Sequence, residues 1–130
     1  MKKVILIIDD DEDDRFFFGE AVKEVDSSAR IICCENGEEA LNFLKREDIH
    51  LPDYIFLDIN MPGISGKKCL TELKKLEKLS SIPVFMYSTS SQKKDDMEFK
   101  QLGATHFFTK PCCYGELLQI VSFVTTHSWK

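Results

Sequence analysis

Val4-Ile5-Leu6-Ile7-Ile8-Asp9-Asp10-Asp11-Glu12-Asp13-Asp14 decides the fold of this chain. A strand with one wet face alternates apolar and polar residues. Five apolar residues without a polar interruption read instead as a strand covered on both faces, as in a parallel sheet. Six acids follow at once. That much negative charge at one strand end is unfavourable unless something positive sits there, and the usual remedy is a divalent cation with oxygen ligands.

Working outward, short runs rich in branched and aromatic residues recur at Lys3–Ile8, Arg30–Cys34, Tyr54–Leu57, Val84–Tyr87 and His106–Thr109. Helical patterns lie between them. The first spans Asp13–Val25, with Phe17, Ala21 and Val25 on one stripe. The second spans Gly37–Lys45 and buries Ala40, Leu41 and Leu44. The third runs Ser65–Lys78, with Leu70, Leu73 and Leu76 repeating every three residues. The fourth runs Ser91–Leu102, thin in apolar content (Met97, Phe99, Leu102), and stops at Gly103, a good C-cap residue. The fifth follows Pro111 and carries Leu117, Leu118, Ile120, Val121 and Val124. This alternation predicts an α/β fold, a doubly wound parallel sheet of five strands with helices on two faces and right-handed crossovers.

The 130 residues suffice for one domain with a real core, and residues 1–130 are expected to form that single domain with no second one to carry an output activity. A net charge of −5 disfavours nucleic acid as a partner. No apolar stretch approaches the roughly 20 residues that cross a bilayer. Met1-Lys2-Lys3 resembles the start of a secretion signal, but the apolar run behind it is short and ends in acids. Cys33, Cys34, Cys69, Cys112 and Cys113 form neither a disulfide framework nor a zinc pattern; they are expected to be small buried hydrophobes in a reducing cytoplasm.

In open parallel sheets, function collects at the carboxyl ends of the strands. Those ends carry Asp9-Asp10, Asp58, Ser88-Thr89 and Lys110. Each has an ordinary explanation: acids cap helices, serines make turns, lysines are solvated. Their joint occurrence at four ends of one sheet argues for a site. The chemistry that fits is phosphoryl transfer to a carboxylate. An aspartate can be the nucleophile, a cation held by neighbouring carboxylates neutralises charge, and an ammonium and a hydroxyl bind the phosphoryl oxygens. His50 and His127 are poorly placed as general bases, and an ionised carboxylate needs none.

Four segments carry a family resemblance: Ile7-Ile8-Asp9-Asp10 with Arg15 beyond it, Leu57-Asp58-Ile59-Asn60-Met61-Pro62-Gly63-Ile64-Ser65-Gly66, Pro83-Val84-Phe85-Met86-Tyr87-Ser88-Thr89, and Gly103-Ala104-Thr105-His106-Phe107-Phe108-Thr109-Lys110-Pro111. In this order and spacing they resemble the receiver domain of two-component response regulators, of the stand-alone chemotaxis-regulator type. The resemblance implies a flavodoxin-like strand order 2-1-3-4-5. It implies Asp58 as phosphoacceptor and Mg²⁺ (Mn²⁺ as an alternative) ligated by Asp10, Asp58 and the Asn60 backbone carbonyl, with Asp9 contributing through water. Lys110 and Thr89 would contact the phosphoryl group, Ser88 would be the hydroxyl switch and Phe107 the aromatic switch. The Lys110–Pro111 bond would be cis. The implied partners are a sensor histidine kinase or a histidine phosphotransfer domain and a downstream protein target. The face formed by helix four, strand five and helix five would change shape, and aromatics near Phe107 and Phe108 could support a homodimer there. The protein would catalyse only its own phosphorylation and slow dephosphorylation.

Some residues depart from the commonest pattern. Thr89 stands where a small residue is frequent, Asn60 and Ser90 flank the site, and Cys112-Cys113 has no functional explanation. Asp11, Glu12, Asp13 and Asp14 read as solvent-facing residues of a helix N-terminus, favoured by its dipole. Lys93 and Lys94 are a solvated face or a recognition patch. Three competing readings exist. A haloacid-dehalogenase-like phosphatase would use Asp9-x-Asp11 but needs Thr or Val where Asp13 stands. An EF-hand loop would use Asp9, Asp11, Asp13 and Glu20, but Asp14 occupies its glycine position. A phosphorylation-independent interaction module would have a degenerate site.

Overall fold

The computed structural model describes residues 2–89 and 93–129, with the backbone alone described for 93–96. The expected start of the fourth helix at Ser91, the flanking Ser90 and the Lys93 and Lys94 side chains therefore lie outside the described residues. Five strands occur there: β1 (Val4–Ile8), β2 (Arg30–Cys34), β3 (Tyr54–Leu57), β4 (Val84–Ser88) and β5 (His106–Thr109). All pair in parallel, in the order β2-β1-β3-β4-β5. The helices are α1 (Glu12–Val25), α2 (Gly37–Leu44), α3 (Gly66–Lys75), α4 (Lys93–Gln101) and α5 (Tyr114–Thr126).

The unbroken apolar runs have the expected cause. Every residue of β1, β3 and β4 is buried. Within β1, Leu6 and Ile8 face one cluster with Leu41 and Leu44 of α2, Leu70 and Leu73 of α3 and Phe99 of α4. Ile5 and Ile7 face the other, with Phe18, Ala21 and Val22 of α1 and Leu117, Val121 and Val124 of α5. Successive side chains point to opposite faces, so both faces must be apolar. The edge strands β2 and β5 are more exposed and polar, with Arg30, Cys33 and Thr109 exposed.

Several expectations need correction. The core stripe of α1 is Phe18, Ala21 and Val22 with Val25 partly buried, whereas Phe17 is 52% exposed. α3 ends at Lys75; Leu76 is extended, and Glu77–Leu79 form a separate 3-10 turn that buries Leu79. Met97 is exposed, so Phe99 anchors α4. α5 follows Pro111 as expected, starting at Tyr114 with Cys113 as its N-cap residue. Only Cys34 and Cys69 are buried, because Cys33 lies on an edge strand and Cys112 and Cys113 lie in a loop and cap. No described peptide bond is cis, so Lys110–Pro111 is trans; X–Pro isomers differ by only about 0.5–1 kcal/mol, and local packing decides between them.

Two glycines matter to the site. Gly103 has φ +110°, which closes α4 as a glycine C-cap. A Cβ on Gly66 would stand 2.7 Å from Ile59 Cα, so only glycine lets the start of α3 pack on the loop after β3. The Gly66 N–H donates to the Ile59 carbonyl at 3.1 Å across that contact.

Candidate functional site

Backbone pairing carries the strand ends into one crevice. The Asp9 N–H donates to the Cys34 carbonyl (3.0 Å), the Asp58 N–H to the Ile8 carbonyl (2.9 Å), and the Lys110 N–H to the Ser88 carbonyl (2.7 Å). These bonds tie β1 to β2, β3 to β1 and β5 to β4 just where the polar residues begin. Asp9 and Ser88 are fully buried and Asp58 is 5% exposed, while Asp10 is exposed. Buried carboxylates are costly unless paired or bound to a cation.

Lys110 supplies the pairing. Its Nζ lies 2.8 Å from Asp9 Oδ2, 2.7 Å from Asp14 Oδ2 and 3.6 Å from Asp58 Oδ2. It also sits 5.6 Å from the centre of the Tyr87 ring. Burial works against the ammonium, but its close contacts with Asp14 and Asp9 and the carboxylate charges around it raise its pKa overall. Burial pushes Asp58 up to about 7, with the nearby Asp9 charge adding to the rise and Lys110 opposing it. Burial likewise raises Asp9 despite Lys110. The two carboxylates repel within a poorly solvated space, and the single ammonium does not cancel both.

Local contacts hold the acids in place. The Asp11 N–H donates to Asp9 Oδ1 at 3.0 Å, and Arg15 Nη1 donates to the Asp9 carbonyl at 2.7 Å. Asp11 caps α1, accepting from the Asp14 N–H at 3.1 Å. The Asn60 N–H donates to Asp58 Oδ1 at 3.3 Å, and Asn60 Nδ2 approaches Ser88 Oγ at 3.5 Å. Thr89 is exposed at the end of β4. Phe107 is half-buried with its ring 6.0 Å from Phe99, on the face opposite Phe108, which packs with Phe56 and Phe85.

The donor set suits a hard divalent cation. One carboxylate oxygen from each of Asp9, Asp10 and Asp58 lies within 4.8 Å of the others. Oxygens on opposite sides of Mg²⁺ lie about 4.2 Å apart, so small side-chain adjustments would bring all three to one ion. Asp9 Oδ2 is buried without a well-aligned hydrogen bond, balanced by the nearby Lys110 charge. An all-oxygen, partly open set of this kind is what Mg²⁺ or Mn²⁺ takes.

The geometry brings Asp9, Asp10, Asp58, Asn60, Ser88 and Lys110 together, and leaves Thr89 and Phe107 at its margin. It corrects one expectation: Asp14 does not simply face solvent but pairs with Lys110, because it stands four residues before the buried Phe18 and shares its face of α1. Tyr87 and the anchoring role of Arg15 were also not assigned from the sequence. The EF-hand reading is overturned, since Asp13 and Glu20 lie on α1 and cannot encircle one ion with Asp9.

Residues 5–122 match the response regulator receiver domain family. PilH of Pseudomonas aeruginosa is 32% identical over 95 residues, which is 73% of this chain and 76% of that protein. Among solved structures, the phosphorylated cyanobacterial phytochrome response regulator RcpA superposes with a TM-score of 0.87 at 29% identity, covering 95% of this chain and 91% of that one. The Mn²⁺-bound form of response regulator Rcp1 superposes with a TM-score of 0.78 at 27% identity, covering 95% and 92%. With the sheet order, the strand-end carboxylates and the lysine already in place, these likenesses make the chain a member of the response regulator receiver domain family, the phosphoacceptor modules of two-component signalling.

Proposed function

We propose that Asp58 accepts a phosphoryl group from the phosphohistidine of a sensor kinase or a histidine phosphotransfer domain. The observation that carries this reading is the placement of Asp58. It is nearly buried at the end of the central strand β3, clustered with Asp9 and Asp10 and 3.6 Å from Lys110. A carboxylate oxygen of Asp58 attacks phosphorus, an O–P bond forms, the donor's N–P bond breaks, and the bonding pair leaves with the donor imidazole. Asp9, Asp10, Asp58 and the Asn60 carbonyl would hold Mg²⁺, or Mn²⁺ as named in the Rcp1 structure, which would supply positive charge between the carboxylate and the phosphoryl oxygens.

The residues of the chain do the rest. Lys110 turns its ammonium to a phosphoryl oxygen, which replaces carboxylate contacts with another charge-assisted one. Ser88 offers its buried hydroxyl to a second oxygen, with Thr89 at the entrance. Movement of Ser88 toward the phosphoryl group leaves room beside Phe99 for the half-buried Phe107 ring to turn inward. The α4–β5–α5 face then presents a different surface to a target or to a second copy, a local charge event read through a bistable packing element. Catalysis is confined to formation and slow loss of the chain's own acyl phosphate, and the setting is the cytoplasm, where the kinase's phosphohistidine is presented.

Incubation with acetyl phosphate and Mg²⁺ tests the assignment by intact mass. One phosphoryl group should add to the wild type and none to Asp58→Asn. Label that persists in Asp58→Asn and disappears in Asp9→Asn would overturn it in favour of an Asp9 nucleophile. Absence of label from acetyl phosphate together with no binding of beryllofluoride in Mg²⁺ would favour an interaction module.

A further inference from the structure

We propose that Asp14 is a positioning residue for Lys110: in the resting protein its carboxylate holds the ammonium back from Asp58. The inference rests on the assignment of Asp58 as phosphoacceptor and goes beyond it to what sets the readiness of the site. Of the three carboxylates around Lys110 Nζ, Asp14 is the nearest at 2.7 Å, and it accepts an aligned hydrogen bond from it. Asp9 is 2.8 Å away but receives no aligned bond, and Asp58 is farther, at 3.6 Å. The directional contact of the ammonium therefore goes to a residue outside the carboxylate cluster.

Two features make that contact a resting position rather than a fixed strut. The Asp14 side chain is 35% exposed whereas that of Lys110 is 9% exposed, so water can take over the Asp14 end when the lysine leaves. A cleft of about 280 Å³ borders Asp14, Tyr87, Lys110 and Cys112, leaving the pair unconfined on that side. The Lys110 backbone is fixed by its N–H, which donates to the Ser88 carbonyl, while its long stem can swing between the neighbouring carboxylates. A shift of about an ångström brings the ammonium from 3.6 Å to hydrogen-bond distance of Asp58.

This arrangement has a double consequence. While Asp14 holds the ammonium, Lys110 competes less with a cation for Asp58. When a phosphoryl group arrives, the same contact must be broken, which slows its capture. Removing the Asp14 charge should then weaken Mg²⁺ binding and speed phosphorylation, two effects of opposite sign. A purely structural role would not produce that pair. Asp13, exposed on the same turn of α1, is the control for loss of one negative charge.

The test compares Asp14→Asn and Asp14→Ala with Asp13→Asn, each checked for folding by its urea midpoint. Mg²⁺ is titrated alone by calorimetry, and acetyl phosphate labelling is timed at saturating Mg²⁺. Both Asp14 variants should bind Mg²⁺ roughly 1.5-fold to fivefold more weakly than Asp13→Asn and label faster by a similar factor, the range expected for a partly exposed charged pair. Equal behaviour of the Asp14 and Asp13 variants, or slower labelling in the Asp14 variants, overturns the proposal. If the wild type took no label, the assignment of Asp58 would fail on its own, and the Mg²⁺ titration would still decide whether Asp14 holds Lys110 back.

Discussion

Asp58 combines two demands that conflict. It must be ionised to act as a nucleophile, yet it is nearly buried beside another carboxylate. Its pKa stands at about 7 against an ordinary 3.8, through burial first and the Asp9 charge second. A folded-state value above the unfolded one means that the folded chain holds a proton the unfolded chain has lost. The resulting stability is complete below about pH 4 and is lost as pH rises through about 7. Asp9 is shifted in the same direction and adds to the trend. Without divalent cations, the urea midpoint should fall between pH 4 and 8. Asp58→Asn should flatten the curve and stabilise the fold at pH 8 by about 1–3 kcal/mol, given 1.36 kcal/mol per pKa unit. An unchanged slope in Asp58→Asn would show that the cost of burial lies elsewhere.

At the level of elements, α1 shows where a sequence reading can miss. Phe16-Phe17-Phe18 offers three phases for one apolar stripe, and Phe17-Ala21-Val25 satisfies a four-residue spacing as well as Phe18-Ala21-Val22-Val25 satisfies a mixed one. Choosing Phe17 turns the helix by one residue, which also puts Asp14 in water. The true phase buries Phe18 against Phe56 at 4.7 Å and Tyr87 at 5.8 Å, and turns Asp14 toward Lys110. Phe18→Ala should therefore cost about 3–5 kcal/mol by denaturant unfolding, and Phe17→Ala close to none. The strands were easier, because β1, β3 and β4 are buried on both faces and have no phase to choose. The gathering of Asp9, Asp10, Asp58, Ser88 and Lys110 at one edge was legible for the same reason: all lie at or just past the carboxyl ends of the strand runs. The Asp14–Lys110 contact was not, since it joins α1 to the residue just after β5 across 96 residues. α3 exposes a second gap, for its leucines continue past Lys75 while its backbone does not. The fit of α3 to the site depends on Gly66. Gly66→Ala should cost about 1–3 kcal/mol through overpacking against Ile59. Gly19→Ala, mid-helix in α1 with open space around the added Cβ, should stabilise by about 0.5–1 kcal/mol. Thermal unfolding of the two variants separates a glycine needed for contact from one that only loosens a helix.

Across the whole molecule, two apolar clusters flank the sheet and both end at one charged edge, where Asp9, Asp58 and Ser88 are buried. With both acids ionised and Lys110 the nearest cation among the described residues, that edge keeps uncompensated negative charge. Its electrostatics should therefore be linked to the stability of the entire fold, because the same backbone hydrogen bonds that register β1, β3, β4 and β5 hold the charged groups. A cation that binds only the folded chain adds RT ln(1 + [L]/Kd), about 2.7 kcal/mol at a hundredfold excess over Kd. The melting temperature should rise steadily with MgCl₂ and far less with NaCl of equal ionic strength. Lys110→Met leaves two buried carboxylates without their ammonium, and loss of one partner of a buried pair costs about 3–5 kcal/mol. That variant should be the least stable without Mg²⁺ and gain the most from it. Asp10 is exposed, so Asp10→Asn should melt near the wild type without metal and lose much of the Mg²⁺ response. A Mg²⁺ shift of equal size in wild type, Asp10→Asn and Asp58→Asn would place the ion somewhere other than this edge.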